Sequence, residues 1–125
     1  MSPDTQTSNA EDLRKSLIDI AVESWQLGRL LESLLGKLAT DDRRRYQGKI
    51  LWFGRRMEES LAAVGLKLVS IEGHTFTPGM AATPLNLDEY HPDDLLVVDR
   101  MLEPIIMGSE GLVRAGTVTL RKVEA

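Results

Sequence analysis

The chain contains no cysteine, which excludes disulfides, thiol nucleophiles and cysteine-ligated metals. Histidine occurs only at His74 and His91, so any metal site would have to be completed by carboxylates. These are densest at Asp88, Glu89, Asp93 and Asp94, where a hard cation could sit. Their spacing fits no metal loop, and a solvated turn is the simpler reading, so no metal and no cofactor is expected. No apolar run approaches the roughly 20 residues that cross a bilayer; Leu95 to Val98 is typical of the longest. Residues 1–10 are polar and lack the basic-then-apolar order of a signal peptide. A cytoplasmic location with no membrane partner is the expectation. An excess of positive charge is missing as well. The chain has 15 Lys and Arg against 19 Asp and Glu, a net charge of −4. Nucleic acid is therefore not expected as the main partner, because neutralising phosphates needs surplus cations. The run Arg43-Arg44-Arg45 is local and reads as a solvated helix face. No serine stands in a nucleophile elbow and no glycine-rich loop matches a phosphate cradle, so no catalytic residue is assigned. Trp25 and Trp52, at helical spacing among aliphatic neighbours, read as packing or interface residues.

What the chain does have is helical periodicity, followed by a change of texture. Residues 1–9 are small and polar and read as a disordered tail. From residue 11 to 38, Leu13, Leu17, Ile20, Ser24, Leu27, Leu31, Leu34 and Leu38 follow alternating spacings of four and three, a heptad seam with one polar interruption. Ile18, Val22, Trp25, Leu30 and Leu35 lie off that seam, so the apolar surface is wider than a two-stranded coil needs. Thr40 can cap a second helix, with Asp41 and Asp42 at its positive end. Tyr46, Ile50, Phe53, Met57, Ser60 and Val64 repeat the seam, and Gly65 is a natural stop. A helical region over residues 10–64 follows.

Beyond Gly65, short β-prone runs are punctuated by glycine and proline. Residues 66–71, 95–102, 105–107, 112–113 and 117–123 are strand candidates. Residues 65–125 thus read as a small all-β domain that is marginal by itself. The fold class is α+β: an N-terminal helical hairpin followed by this domain. Two amphipathic helices cannot hide their stripes against so small a partner. A homodimer forming a coiled coil or four-helix bundle is expected. Its interface would use Leu13, Leu17, Ile20, Leu27, Leu31, Leu34, Ile50, Phe53 and Met57.

Three segments, in order, resemble the β-domain of the GrpE family of nucleotide-exchange factors for DnaK-type chaperones. They are Leu61-Ala62-Ala63-Val64-Gly65-Leu66, Gly73-His74-Thr75-Phe76-Thr77-Pro78, and Val113-Arg114-Ala115-Gly116-Thr117-Val118 with its flanking Leu112, Thr119 and Leu120. The resemblance implies a dimeric factor with a DnaK-type chaperone as partner. Such a factor prefers the chaperone's open nucleotide cleft and so speeds ADP release without covalent chemistry. It implies partner contacts at Arg114, Phe76, Pro78 and Leu120. Thr77, Ala81, Ile105 and Ile106 depart from the family pattern. They favour an alternative, a dimeric scaffold of the same fold without exchange activity.

Overall fold

The computed structural model of the chain describes residues 3–124, and the side chains of residues 9–124. Two long helices precede a small all-β region, as the sequence pattern leads one to expect, and that region has six short strands. The chain divides into two compact units, Met1–Met57 and Glu58–Ala125.

Helix α1, Pro3–Leu35, takes in most of the stretch that reads as a tail. A proline at the first helical position has its φ preset and needs no N–H acceptor. Met1 and Ser2 lie outside the described residues. The helix stops at Leu35, three residues short of the expected end. The Lys37 and Leu38 amides donate to the Leu34 and Leu35 carbonyls, tightening the chain into a turn. Helix α2, Thr40–Ala62, starts with Asp41 and Asp42 in its first turn. Arg43 is more than a solvated charge. Its Nε donates to the Leu35 carbonyl at 3.1 Å and its Nη2 to those of Leu38 and Gly36 at 3.3 and 3.5 Å. One guanidinium thereby gathers carbonyls at the negative end of α1 and in the turn that follows, and fastens the hairpin.

The buried face of α1 is not the expected seam. Ile18, Ala21, Val22 and Leu35 are buried, whereas the seam residues Leu13, Ile20, Leu27 and Leu34 remain 72%, 63%, 51% and 45% exposed. Leu17, Leu31, Ile50 and Met57 are half-buried, and Phe53 is exposed.

The second unit opens with the stop of α2. The Leu66 amide donates to the Leu61 carbonyl at 2.9 Å and the Gly65 amide to that of Ala62 at 3.0 Å. Gly65 itself has φ of 76°. This pair of bonds around a left-handed glycine is a Schellman ending, and it comes with burial of Leu61 and Leu66. The strands are β1 (Lys67–Val69), β2 (Ala82–Pro84), β3 (Leu96–Glu103), β4 (Ile105–Gly108), β5 (Gly111–Arg114) and β6 (Gly116–Lys122). They form two three-stranded sheets, ordered β1-β4-β5 and β2-β6-β3.

The two sheets share one long hairpin. Residues 96–108 run out and 111–122 return, but the first arm breaks at Pro104 and the second at Ala115. Proline cannot donate to a ladder, so β3 pairs with β6 in one sheet and β4 with β5 in the other. At the return corner Gly116 is obligatory. A Cβ there would stand 2.8 Å from the Met101 methyl and 2.9 Å from the Glu103 carbonyl oxygen. Strand β2, which the pattern does not announce, lies parallel to β6 at the sheet edge. An edge is where Pro84 is tolerated. Val98, Met101, Ile105, Ile106, Val118 and Leu120 fill the core.

Candidate functional site

The segment 73–76 lies along β3 as an irregular extra strand. Gly73 and Phe76 amides donate to the Val98 and Leu96 carbonyls at 2.8 Å, and the Val98 amide returns a bond to the His74 carbonyl at 2.9 Å. Phe76 is thereby fixed beside the start of β3. The loop at 86–94 is fixed from the other side. Asn86 grips the peptide of Leu120 at both ends: its Nδ2 donates to the carbonyl at 3.0 Å and its Oδ1 accepts from the amide at 2.9 Å. The Tyr90 hydroxyl donates to the same carbonyl at 3.0 Å.

Between these two anchored segments is a hollow of about 600 Å³. Phe76, Pro78, Leu87, Tyr90, Pro92 and Leu96 give it apolar walls, and Asp88, His91 and Asp94 lie among them. Leu96 is buried, while Leu87 and the neighbouring Leu85 and Leu95 are exposed. A concave apolar surface with a few polar groups suits a protruding side chain or a small ligand.

Asp94 shapes the polar side. Its Oδ2 accepts from the His91 amide at 2.9 Å, and its Oδ1 faces Lys122 Nζ at 3.4 Å. Its carboxyl sits below its ordinary value of 3.8, first because of the His91 amide and then because of Lys122, against some desolvation. Among the described residues no three His, Asp or Glu side chains converge as a metal ion requires. No helix among them is long and apolar enough to cross a membrane.

Of the four residues assigned as partner contacts from the sequence, only Phe76 and Pro78 come together, in the wall of this hollow. Leu120 is 2% exposed and belongs to the core; what the loop uses is its backbone. Nor does Leu120 share a face of one strand with Arg114. Arg114 ends β5 in one sheet and Leu120 lies in β6 of the other. Arg114 Nη2 donates to Glu103 Oε2 at 3.1 Å, and Thr117 Oγ1 donates to Glu103 Oε1 at 2.7 Å. This half-buried trio braces the corner where the hairpin changes sheets. Ile105 and Ile106 are buried in β4. No local pattern marks Leu87, Tyr90 or Leu96 as wall residues. Leu96 meets Phe76 through the backbone bond between them, and Leu87 and Tyr90 are held in the loop that the Asn86 clamp fixes, a contact across 34 positions of chain.

Compared with known protein-family models, curated proteins and solved structures, the chain matches none.

Proposed function

We propose that the chain acts as a homodimeric co-chaperone that promotes ADP release from a DnaK-type chaperone. The α1 stripe of Leu13, Ile20, Leu27 and Leu34 pairs with a second copy, and the β-unit docks on the chaperone through the hollow. The observation that carries this reading is the use of segment 73–78. Phe76 and Pro78, two of the residues similar to the GrpE pattern, line an apolar hollow on the surface instead of being spent in the core. Exchange needs no catalytic group. A factor that binds the open cleft tenfold better than the closed one shifts the equilibrium by about 1.4 kcal/mol, and nucleotide leaves faster. The test is release of labelled ADP from the DnaK-type chaperones of the source organism. Faster release with the wild-type chain, reduced by Phe76→Ala in a dimer that stays intact, is the expected result. Absence of acceleration with every such chaperone refutes the reading.

A second reading is a dimeric scaffold of the same fold without exchange activity. It is favoured by one observation, the engagement of Arg114 with Glu103 inside the chain. A chaperone that binds the chain without releasing nucleotide faster decides for the scaffold.

A further inference from the structure

We propose that the hollow of the β-unit takes an arginine side chain, presented by a partner polypeptide beside an apolar residue. The inference rests on the reading of this hollow as the docking point of the β-unit, and not on exchange activity. Every residue of its wall lies between Phe76 and Leu96. From Leu68 to Asp99 the chain has six Asp and Glu and no Lys or Arg, so the wall is built from a stretch of one sign. The hollow is also preformed. Asn86 and Tyr90 tie its loop to the backbone of Leu120, so an occupant meets an ordered wall and binding loses less to ordering.

The two carboxylates in the wall differ in what they have to offer. Asp94 is engaged, holding the His91 amide with one oxygen and facing Lys122 with the other. Asp88 is exposed and forms no hydrogen bond or ion pair with another described residue. No cation of the same unit answers it. Lys122 faces Asp94, Arg121 faces Asp99 at 3.5 Å and Arg114 faces Glu103, while Lys67 and Arg100 line no part of the hollow. His91 Nδ1 accepts from the Asp93 amide at 3.3 Å, as a neutral ring does. The surroundings are apolar as well as acidic. Leu85, Leu87 and Leu95 are exposed, and among the described residues of this unit the other exposed large hydrophobic side chains are Val64 and Leu112. Exposed apolar side chains gathered in one place mark a binding surface.

Charge and shape together select the occupant. A long side chain with an apolar stem and a cationic head suits apolar walls with one free carboxylate. Arginine suits them better than lysine, because its planar head stacks on aromatic rings such as those of Phe76 and Tyr90 while its edge pairs with a carboxylate. An acidic segment would meet Asp88 as a like charge. A wholly apolar one would cover that carboxylate without supplying a counter-charge, which costs free energy. An apolar neighbour of the arginine finds its place on Leu87.

The test is titration of the full chain with a short peptide of Arg, Leu and Ser, read by calorimetry and by amide NMR shifts. Its arms are the same peptide with Lys for Arg, with Glu for Arg, and with Ala for Leu. The Arg peptide should bind, more weakly as salt rises, and should move the amides of Phe76, Leu87, Asp88 and Tyr90. The Lys and Ala peptides should bind less well and the Glu peptide not at all. Asp88→Lys should weaken binding of the Arg peptide by about tenfold or more. Its melting temperature should stay close to the wild type's, because Asp88 has no partner to lose, and this separates lost docking from lost folding. Leu87→Ala, also at an exposed position, should weaken binding too. Equal binding of the Arg and Glu peptides, tighter binding of the Lys peptide, shifts confined to residues outside the hollow, or indifference to Asp88→Lys overturns the proposal. Binding of the Arg peptide without accelerated ADP release from any chaperone refutes the exchange reading and supports this inference. Accelerated release that Phe76→Ala reduces, with no preference for the Arg peptide, refutes this inference alone.

Discussion

Replacing Leu27 by Asp should separate two copies of the chain without unfolding either one. Leu13, Ile20, Leu27 and Leu34 recur every seven residues on α1, and their exposures of 72%, 63%, 51% and 45% amount to rather more than two whole side chains left in water. Burying one such side chain is worth about 1.5–3 kcal/mol, so covering the stripe on both copies gains roughly 7–14 kcal/mol. Association itself costs about 4–15 kcal/mol. The stripe alone therefore supports a dimer of modest affinity, and each residue in it matters. Leu27→Asp removes about half a side chain of burial from each copy. It also forces two carboxylates against apolar partners, a penalty of several kcal/mol. The dissociation constant should rise at least about a hundredfold, since each 1.4 kcal/mol is tenfold. Because Leu27 is half in water within the single chain, helicity of the variant should match the wild type. Val22→Asp, at a buried position, should instead lose helicity. Sedimentation equilibrium at micromolar concentration reads the first effect and circular dichroism the second. A wild-type monomer, or an unchanged dissociation constant for Leu27→Asp, would refute the reasoning.

Gly116→Ala should destabilise the β-unit by about 1–3 kcal/mol through overpacking, because the new methyl meets Met101 and the Glu103 backbone; thermal melting measures it, and an unchanged midpoint would count against the tight corner. Arg114→Ala removes a partly exposed ion pair with Glu103 and should cost no more than about 1 kcal/mol, with the dimer unaffected in sedimentation. Asp94 has a lowered pKa, so its ionised form stabilises the fold above the ordinary carboxylate value, and that contribution disappears as pH falls through the folded value. The melting points of wild type and Asp94→Asn should accordingly differ at neutral pH and converge in acid; a difference that persists in strong acid would exclude the carboxylate as its source. Gly65→Ala should lower the melting point by forcing a side chain into the left-handed region.

Local pattern determined which segments became helices and strands. Periods of three and four, Asp41 and Asp42 at a helix start, and Gly65 at a helix end act within a few residues of chain, so α1, α2 and five of the six strands could be read directly. Tertiary contacts decided the rest. Strand β2 has only three residues, and its pairing with Gly116, Thr117 and Val118 lies more than thirty positions away, beyond any local signal. The heptad seam announced an apolar stripe but not its fate, since periodicity is the same for a face that is buried and one that waits for a partner. Exposure resolved it: Ile18, Ala21 and Val22 went inside and Leu13, Ile20 and Leu27 stayed out. Of the residues that the resemblance implied, Phe76 and Pro78 lie in the wall of the hollow, whereas Leu120 is buried, because a resemblance in sequence does not say which face of a strand is the core. The hollow beside Phe76 exists only because Asn86 and Tyr90 tie a polar loop to the backbone of β6, and a bond to a carbonyl leaves no trace in the residue that offers it.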